Sequence, residues 1–476
     1  MAFFDLLLAI PTVWLLWLSL DWPLIGDASI FHFIANQMAM GAVPYRDIID
    51  VNMPLTYDIH AAVVALFGMS DAGWRAFDLA AAALLSFGIL ALVWPAGRAE
   101  AILAVLAVLL MHLLLGRYAA GQRDFLMTIP ALGVAWASAR AAEDQRERHI
   151  LLALAGAMAM TAALIKPSGI VLLALPVLAL PDLVLPGSAM KPGWRQLLWI
   201  SAGAAAIAIG EFGLLAVRGG LGAFVTMIWD VLPTYAAMGG KPPLEVLEAV
   251  HWIGPVAGLA VAAVLGIGLP KPPRLRVMIG LAGFGLFHLM VQRKGWLYHV
   301  YPLGVGLACW GSWALAALPL RRVLLSLAVV ALVLGWSLPA SVSEDKNDPP
   351  LRSSFAMQSA LERRLPHGAR VQMFDADAGA FRAMARTGMR QATPHIQWFS
   401  LLLGSEAVRQ DFLTALESNP PDAFLLTNDQ WPKSPGFDAA DDWPEFAGLL
   451  KSRYDLSEAG QADFIQWRLY VLRREP

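Results

Sequence analysis

Of 476 residues, 58% are hydrophobic and only 15% are charged, well under the ~25% of an ordinary soluble domain, so the excess apolar surface has to face lipid. A formal net charge of -2 offers a polyanion little to hold, which argues against nucleic acid as a partner. The single cysteine, Cys309, lies inside an apolar run and leaves neither a disulfide framework nor a cysteine-rich metal site.

Apolar runs of roughly 17 to 20 residues recur along the first ~340 positions, each long enough to cross a ~30 Å hydrocarbon core as a helix. Proline interrupts the runs at 170–186 and 251–269, which rules out a barrel ladder and leaves helices. In chain order the predicted membrane helices cover 3–20, 76–96, 99–115, 125–140, 150–165, 170–186, 196–217, 252–269, 277–292, 300–319 and 323–340, about eleven in all. The opening segment MAFFDLLLAIPTVWLLWLSL has no basic leader and no small-residue cleavage site, so it reads as an uncleaved first helix. With the N-terminus inside, every inside connection is basic: Arg98, then Arg140, Arg146 and Arg148, then Lys191 and Arg195, then Lys271, Arg274 and Arg276, then Arg321 and Arg322. The outside connections are then 21–75, 116–124, 166–169, 218–251 and 293–299, with the tail beyond residue 340.

The first outside loop contains two amphipathic stretches, Ile30 to Met40 and Leu55 to Phe67, which suit helices lying in the membrane interface. Gly222 to Met238 reads the same way, with Trp229 and Tyr235 as anchors. Past residue 341 the composition becomes that of a soluble protein, starting with the polar linker SEDKNDPP. ARVQMFD, PDAFLLTND and FIQWRLYVLRR read as strands, AGAFRAMARTG and FAGLLKSRY as helices. The expected architecture is a polytopic α-helical membrane domain over 1–340, with a long first outside loop at 21–75, followed by a soluble mixed α/β domain over 341–476.

Chemistry concentrates on the outside face. The first loop carries Asp27, Asp47, Asp50 and Asp58 with Arg46 and Arg75, and Asp27 follows the first helix closely enough to sit at the lipid headgroups. Three further turns supply cations and hydrogen-bonding groups: Gln122, Arg123 and Asp124 in GQRD, Lys166 in IKPSG, and Gln292, Arg293, Lys294, Tyr298 and His299 in QRKGWLYH. Any one of these is accounted for by a cation snorkelling to the headgroups; three on the face opposite the basic loops point to a shared anion site. His112, Glu211 and His288 lie within apolar segments, where an ionisable group is either functional or satisfied by a hydrogen bond between helices, such as Glu211 to a histidine. Asp375-Ala-Asp377 has the spacing of a DxD metal motif, but without a nucleotide fold around it the spacing reads as chance.

Taken in order, Asp27, GAVPYRD at 41–47, Pro54-Leu55, LFG at 66–68 and Arg75 resemble the GT-C superfamily of membrane glycosyltransferases, in the branch of protein O-mannosyltransferases and lipid A aminoarabinose transferases. The detailed resemblance covers about 55 residues; it departs where Ala28 and Ser29 follow Asp27, since the family often doubles the acidic residue there. The resemblance implies a polyprenyl-phosphate-linked sugar as donor, a cell-envelope glycan, lipid or protein as acceptor, and a bacterial inner-membrane enzyme facing the periplasm. The chemistry of such a transfer requires a carboxylate base and fixed cations against the departing phosphate. Asp27 is the expected base with Asp50 as the alternative, and the expected outcome is inversion of the anomeric centre. Arg46, Arg123, Lys166, Arg293 and Lys294 are the expected phosphate contacts. Asp47, Tyr45, Gln122, Asp124, Glu211, Gln292, Tyr298 and His299 are expected to line the pocket. No cofactor is assigned, and a divalent metal is left open. The competing readings are a polyprenyl-lipid flippase or transporter, for which polar groups at the membrane midplane and repeated halves are expected, and a non-catalytic envelope-assembly protein.

Overall fold

The computed structural model describes residues 2–180, 194–318, 348–375, 378–396, 406–429, 437 and 443–473. The predicted helix 323–340, the end of 170–186, most of the SEDKNDPP linker and Asp377 lie outside these residues. The helices in order are α1 (Ala2–Leu18), α2 (Asp27–Ala39), α3 (Pro54–Phe67), α4 (Asp71–Val93), α5 (Arg98–Leu115), α6 (Arg123–Glu143), α7 (Arg148–Ile165), α8 (Leu175–Ala179) and α9 (Trp194–Val217). Then follow α10 (Leu221–Thr226), α11 (Leu232–Ala237), α12 (Pro243–Glu248), α13 (Ala257–Leu265), α14 (Pro273–Gln292) and α15 (Tyr301–Ala316). The C-terminal part contains α16 (Pro349–Arg364), β1 (Arg370–Phe374), α17 (Ala380–Thr387), β2 (Arg390–Gln391), α18 (Glu406–Ser418), β3 (Ala423–Thr427), α19 (Pro444–Arg453), β4 (Tyr454–Ala462) and β5 (Ile465–Leu472). Among the described residues seven helical runs are long and apolar enough to cross a membrane.

Two compact units emerge: a helical unit of Met1–Trp22, Arg75–Gly213 and Gly240–Ser343, and a second unit of Pro23–Trp74, Leu214–Gly239 and Glu344–Pro476. In the helical unit large apolar side chains such as Val13, Trp17, Phe87 and Ile209 are exposed, the pattern of a surface meant for lipid rather than water. Leu85, Ile89, Met111, Phe125 and Leu281 fill the interior, and because lipid is as apolar as they are, close approach through small residues supplies contact that burial alone does not. A Cβ on Gly156 would run into the Ile200 backbone, and one on Gly203 into the Ala153 carbonyl, so α7 and α9 touch backbone to backbone. Gly285 against Leu303 and Gly306 against Ala282 do the same for α14 and α15. At the end of the helices where the basic connections lie, Arg274 clasps both carboxylate oxygens of Glu143 at 2.5 and 2.8 Å, tying α14 to α6.

The second unit is built on a five-stranded sheet in the order β2-β1-β3-β5-β4. β1 pairs in parallel with β2 and β3, while β3–β5 and β5–β4 are antiparallel. Every residue of β3 is buried, as a strand covered on both faces requires. Phe374, Phe412, Phe424, Trp443, Phe446 and Tyr454 form its core. The polar linker ends where α16 begins: the Asp348 side chain accepts a hydrogen bond from the Leu351 amide and caps the helix.

The first loop belongs to this unit. α2 was expected to lie in the membrane interface with one apolar face, but Ala28 to Ala35 and Gln37 are buried, and the polar members among them have partners. Gln37 donates to the Met389 carbonyl at 2.9 Å and accepts from the Gln391 amide at 3.0 Å. Phe33 meets Phe381 edge-on at 5.7 Å. The Ile49 amide donates to the Pro394 carbonyl at 2.7 Å. Asp71 collects Arg382 at 2.9 Å, Arg386 at 2.8 Å and the Leu24 amide at 3.0 Å. The loop is thus folded against residues more than three hundred positions away.

Gly203→Val is expected to lower the thermal midpoint of the detergent-solubilised protein clearly. Gly210→Val, on the same helix but with nothing within 4 Å of the added carbon, is expected to leave it nearly unchanged, apart from the small propensity gain of losing a glycine.

Candidate functional site

In the helical unit the outstanding group is Asp124, fully buried at the start of α6. Lys166, just past the end of α7, places its ammonium 2.9 and 2.7 Å from the two carboxylate oxygens. His288, in the last turns of α14, brings Nε2 to 2.5 Å from Oδ1, and its Nδ1 lies 2.7 Å from the Ser168 hydroxyl. With Asp124 ionised, His288 donates from Nε2, so Nδ1 is the nitrogen that accepts from Ser168. Lys166 and His288 are themselves buried; a carboxylate withdrawn from water is tolerated only with such partners.

Arg123, adjacent to Asp124, is buried too. Gln122 precedes the helix, donates to the Tyr118 carbonyl at 2.9 Å, and its buried Oε1 has no partner among the described residues. In the turn after α14, Arg293 adopts a left-handed φ of 55° and is exposed, whereas Lys294, Tyr298 and His299 are buried. Burial pushes the Lys294 ammonium below its ordinary range, with Arg293 beside it adding to the effect. His299 meets His288 edge-on at 6.0 Å and Tyr298 at 5.1 Å. The turns of α6, α7 and α14, read separately from sequence, therefore converge around Asp124. Gln292 ends α14 half-buried, and Glu211 lies half-buried on α9.

A second buried carboxylate, Asp78 on α4, repeats the design. Arg75 one turn earlier pairs with it, His112 Nε2 lies at 3.2 Å and the Gly121 amide donates at 2.7 Å. His112 Nδ1 meets the Tyr301 hydroxyl at 2.6 Å. Arg75 also bonds Ser19 and lies 4.5 Å from the centre of the Trp22 ring. Sequence reading named Arg75 and His112 but not Asp78 or Tyr301; the i, i+3 spacing of Arg75 and Asp78 was the available signal.

In the second unit Asp27 is the first residue of α2, half-buried, where the helix dipole favours its negative charge. Asp50 is buried and accepts from Asn52 Nδ2 and the Tyr57 hydroxyl, each at 2.6 Å. Tyr45 is held at φ 68°, rare for a residue with a side chain, and its hydroxyl donates to the Asn52 carbonyl at 2.6 Å. That bond and the Tyr45–Phe224 ring contact at 5.0 Å fix the PYRD turn. Arg46 and Asp47 form an exposed pair at 2.8 Å, and its hydrogen bond holds the Asp47 carboxyl below the usual carboxylate range. Asp58 is paired with Arg218 at 2.6 Å. Not foreseen at all was His32 against His60, Nδ1 to Nδ1 at 2.7 Å, with Trp74 stacked on His60 at 5.1 Å. Burial pushes the His32 imidazole down to about 4.

Asp375 of the DxD-like pair is buried and accepts from Thr427 Oγ1 at 2.7 Å and from the Ala378 and Ala380 amides, each at 2.9 Å. It organises the turn into α17. Among the described residues no group of three or more His, Cys, Asp or Glu side chains is arranged to hold a metal ion.

No family model matches the sequence, and no curated protein matches it. Solved structures do match its fold. ArnT from Cupriavidus metallidurans bound to undecaprenyl phosphate superposes with a TM-score of 0.67 at 16% identity, over 98% of this chain and 97% of that one. The apo state of the same protein gives 0.64 at 18%, over the same shares of both chains. The mycobacterial arabinofuranosyltransferase AftD gives 0.53 at 13%, over 98% of this chain and 40% of that one. At these identities the likeness is one of fold: this chain is folded as ArnT is over nearly its whole length.

Two outcomes follow from these geometries. Lys166→Met strands the Asp124 carboxylate and is expected to cost about 3–5 kcal/mol in detergent unfolding experiments, most of which the double variant Lys166→Met/Asp124→Leu recovers. Burial and the charge of Asp429 push the Asp375 carboxyl up to about 6, so the folded chain holds that proton more tightly than the unfolded one. Its contribution to stability is full below about pH 4 and falls by about 3 kcal/mol as pH rises to about 6. Asp375→Asn is expected to flatten that slope in thermal melts across the range.

Proposed function

We propose that the chain is an inverting glycosyltransferase of GT-C type, moving a sugar from a polyprenyl-phosphate-linked donor to a glycan, lipid or protein acceptor on the periplasmic side of a bacterial inner membrane. The observation that carries the reading is fold likeness along nearly the whole of both chains to ArnT, whose structure was solved with undecaprenyl phosphate. Asp27 is the base that takes the acceptor hydroxyl's proton. It sits at a helix start, half-buried and within reach of solvent, whereas Asp50 is buried and already accepts two hydrogen bonds.

Arg123 and Lys166 are the cations for the departing phosphate, held in place by Asp124; Lys294 stands in the adjoining turn, with exposed Arg293 and Arg46 in supporting roles. Fixed charges in a site shielded from water act without reorganising during reaction, which is where electrostatic stabilisation is largest. Tyr45, Asp47, Gln122, Glu211, Gln292, Tyr298 and His299 are assigned to the substrate pocket. Transport is less well supported, because Asp124 sits at the start of α6 rather than at a broken mid-membrane helix.

The test is sugar transfer in proteoliposomes with a panel of polyprenyl-phosphate sugars. Asp27→Asn is expected to lower the rate on the order of 10²–10⁴-fold while retaining polyprenyl-phosphate binding, and Asp50→Asn to lower it less. Full activity in Asp27→Asn would move the base elsewhere; absence of transfer by the unmodified protein from every donor would refute the enzyme.

A further inference from the structure

His299 is almost wholly buried, at 1% exposure, yet neither ring nitrogen has a hydrogen-bond partner among the described residues. Its neighbour His288 has both nitrogens engaged, by Ser168 and Asp124. Two unmet polar atoms inside a structure are expensive, and here they stand beside cations. The charged and titratable groups acting on the His299 ring are Lys166 at the end of α7, Arg123 and Asp124 at the start of α6, and His288 on α14. From its own turn the Tyr298 and Trp296 rings pack against it at 5.1 and 5.4 Å.

Lys166, Arg123 and Asp124, the charged groups that act on the ring, sum to one net positive charge. A sugar joined to a polyprenyl phosphate is a phosphodiester with one negative charge, which that sum balances. On transfer the bond from the anomeric carbon to the phosphate oxygen breaks and its electron pair stays on the phosphate. The acceptor oxygen forms the new bond to that carbon and gives its proton to the base, Asp27, which passes it to solvent, and any proton taken up beside the phosphate comes from solvent in turn. The phosphate becomes a monoester, whose second ionisation lies near pH ~6, so one more negative charge and one proton appear together.

We propose that His299 is where that charge is neutralised: its ring is neutral opposite the phosphodiester donor and protonated, donating a hydrogen bond, opposite the phosphomonoester product. This rests on the polyprenyl-phosphate reading above. Burial and the nearby cations hold the imidazole well below its ordinary range, so the ring is neutral until a dianion enters.

Calorimetric titration of the full-length protein in nanodiscs tests this, using polyprenyl monophosphate and its methyl phosphodiester in two buffers of different ionisation enthalpy at neutral pH. The unmodified protein is expected to take up a substantial fraction of a proton, up to about one, with the monoester and none with the diester. His299→Gln is expected to abolish the uptake and to weaken the monoester by about 10-fold, more than it weakens the diester, with an unshifted thermal midpoint reporting that the variant is folded; His299→Asn should behave alike. Equal proton uptake in unmodified protein and variants, or none in the unmodified protein, would overturn the role of His299 while the donor reading stands. Binding of neither phosphate by the unmodified protein would overturn both.

Discussion

A carboxylate removed from water has to be answered by the chain around it, and Asp124 is answered by three helix ends at once. α6 supplies the carboxylate, Lys166 beyond α7 the charge, and His288 on α14 the hydrogen bond. Because such a group is far costlier unpaired than paired, these ends cannot drift independently. Everything nearby inherits that fixity, including the positions of Arg123 before it and of the turn that carries His299. The helix bodies, touching through glycines at backbone distance, add little freedom of their own.

Asp78 and Asp124 are variations on one arrangement. Each has one permanent cation, Arg75 or Lys166, and one histidine, His112 or His288. In each the histidine's other nitrogen meets a hydroxyl, of Tyr301 or Ser168. Pairing with a carboxylate on one side and a hydroxyl on the other fixes the ring's tautomer and direction. These groups build rigid polar joints in an apolar bundle.

Much of this was readable in the sequence because membrane helices obey a length rule and loops obey a charge rule. The cation-bearing turns at 122–124, 166 and 292–299 could be grouped on one face from those rules alone. The pairings inside the face could not, since Asp124, Lys166 and His288 are brought together by helix packing, and nothing local distinguishes a buried carboxylate from a capping one. Ser168 and Tyr301 carried no signal beyond their hydroxyls. In the second unit β4 escaped notice because YDLSEAGQA does not alternate apolar with polar residues, and α16 because two prolines at its start resemble a linker. The burial of α2 is hidden for a related reason: His32 and Gln37 look like a wet face until their partners in other segments are known. His32 and His60 lie 28 positions apart, Gln37 and Met389 lie 352 apart, and no window-based reading spans the second distance.

That separation also orders events during synthesis. At ribosomal rates of about 5–20 residues per second, roughly 20 to 70 s elapse between the emergence of Gln37 and that of Met389. Throughout this interval the first loop exists without the segment that satisfies Gln37, Phe33, Ile49 and Asp71. The loop bearing Asp27 and Asp50 is thus among the first segments made and among the last to acquire its final shape, and a ribosome that stops before the sheet leaves behind helices with an unfinished loop.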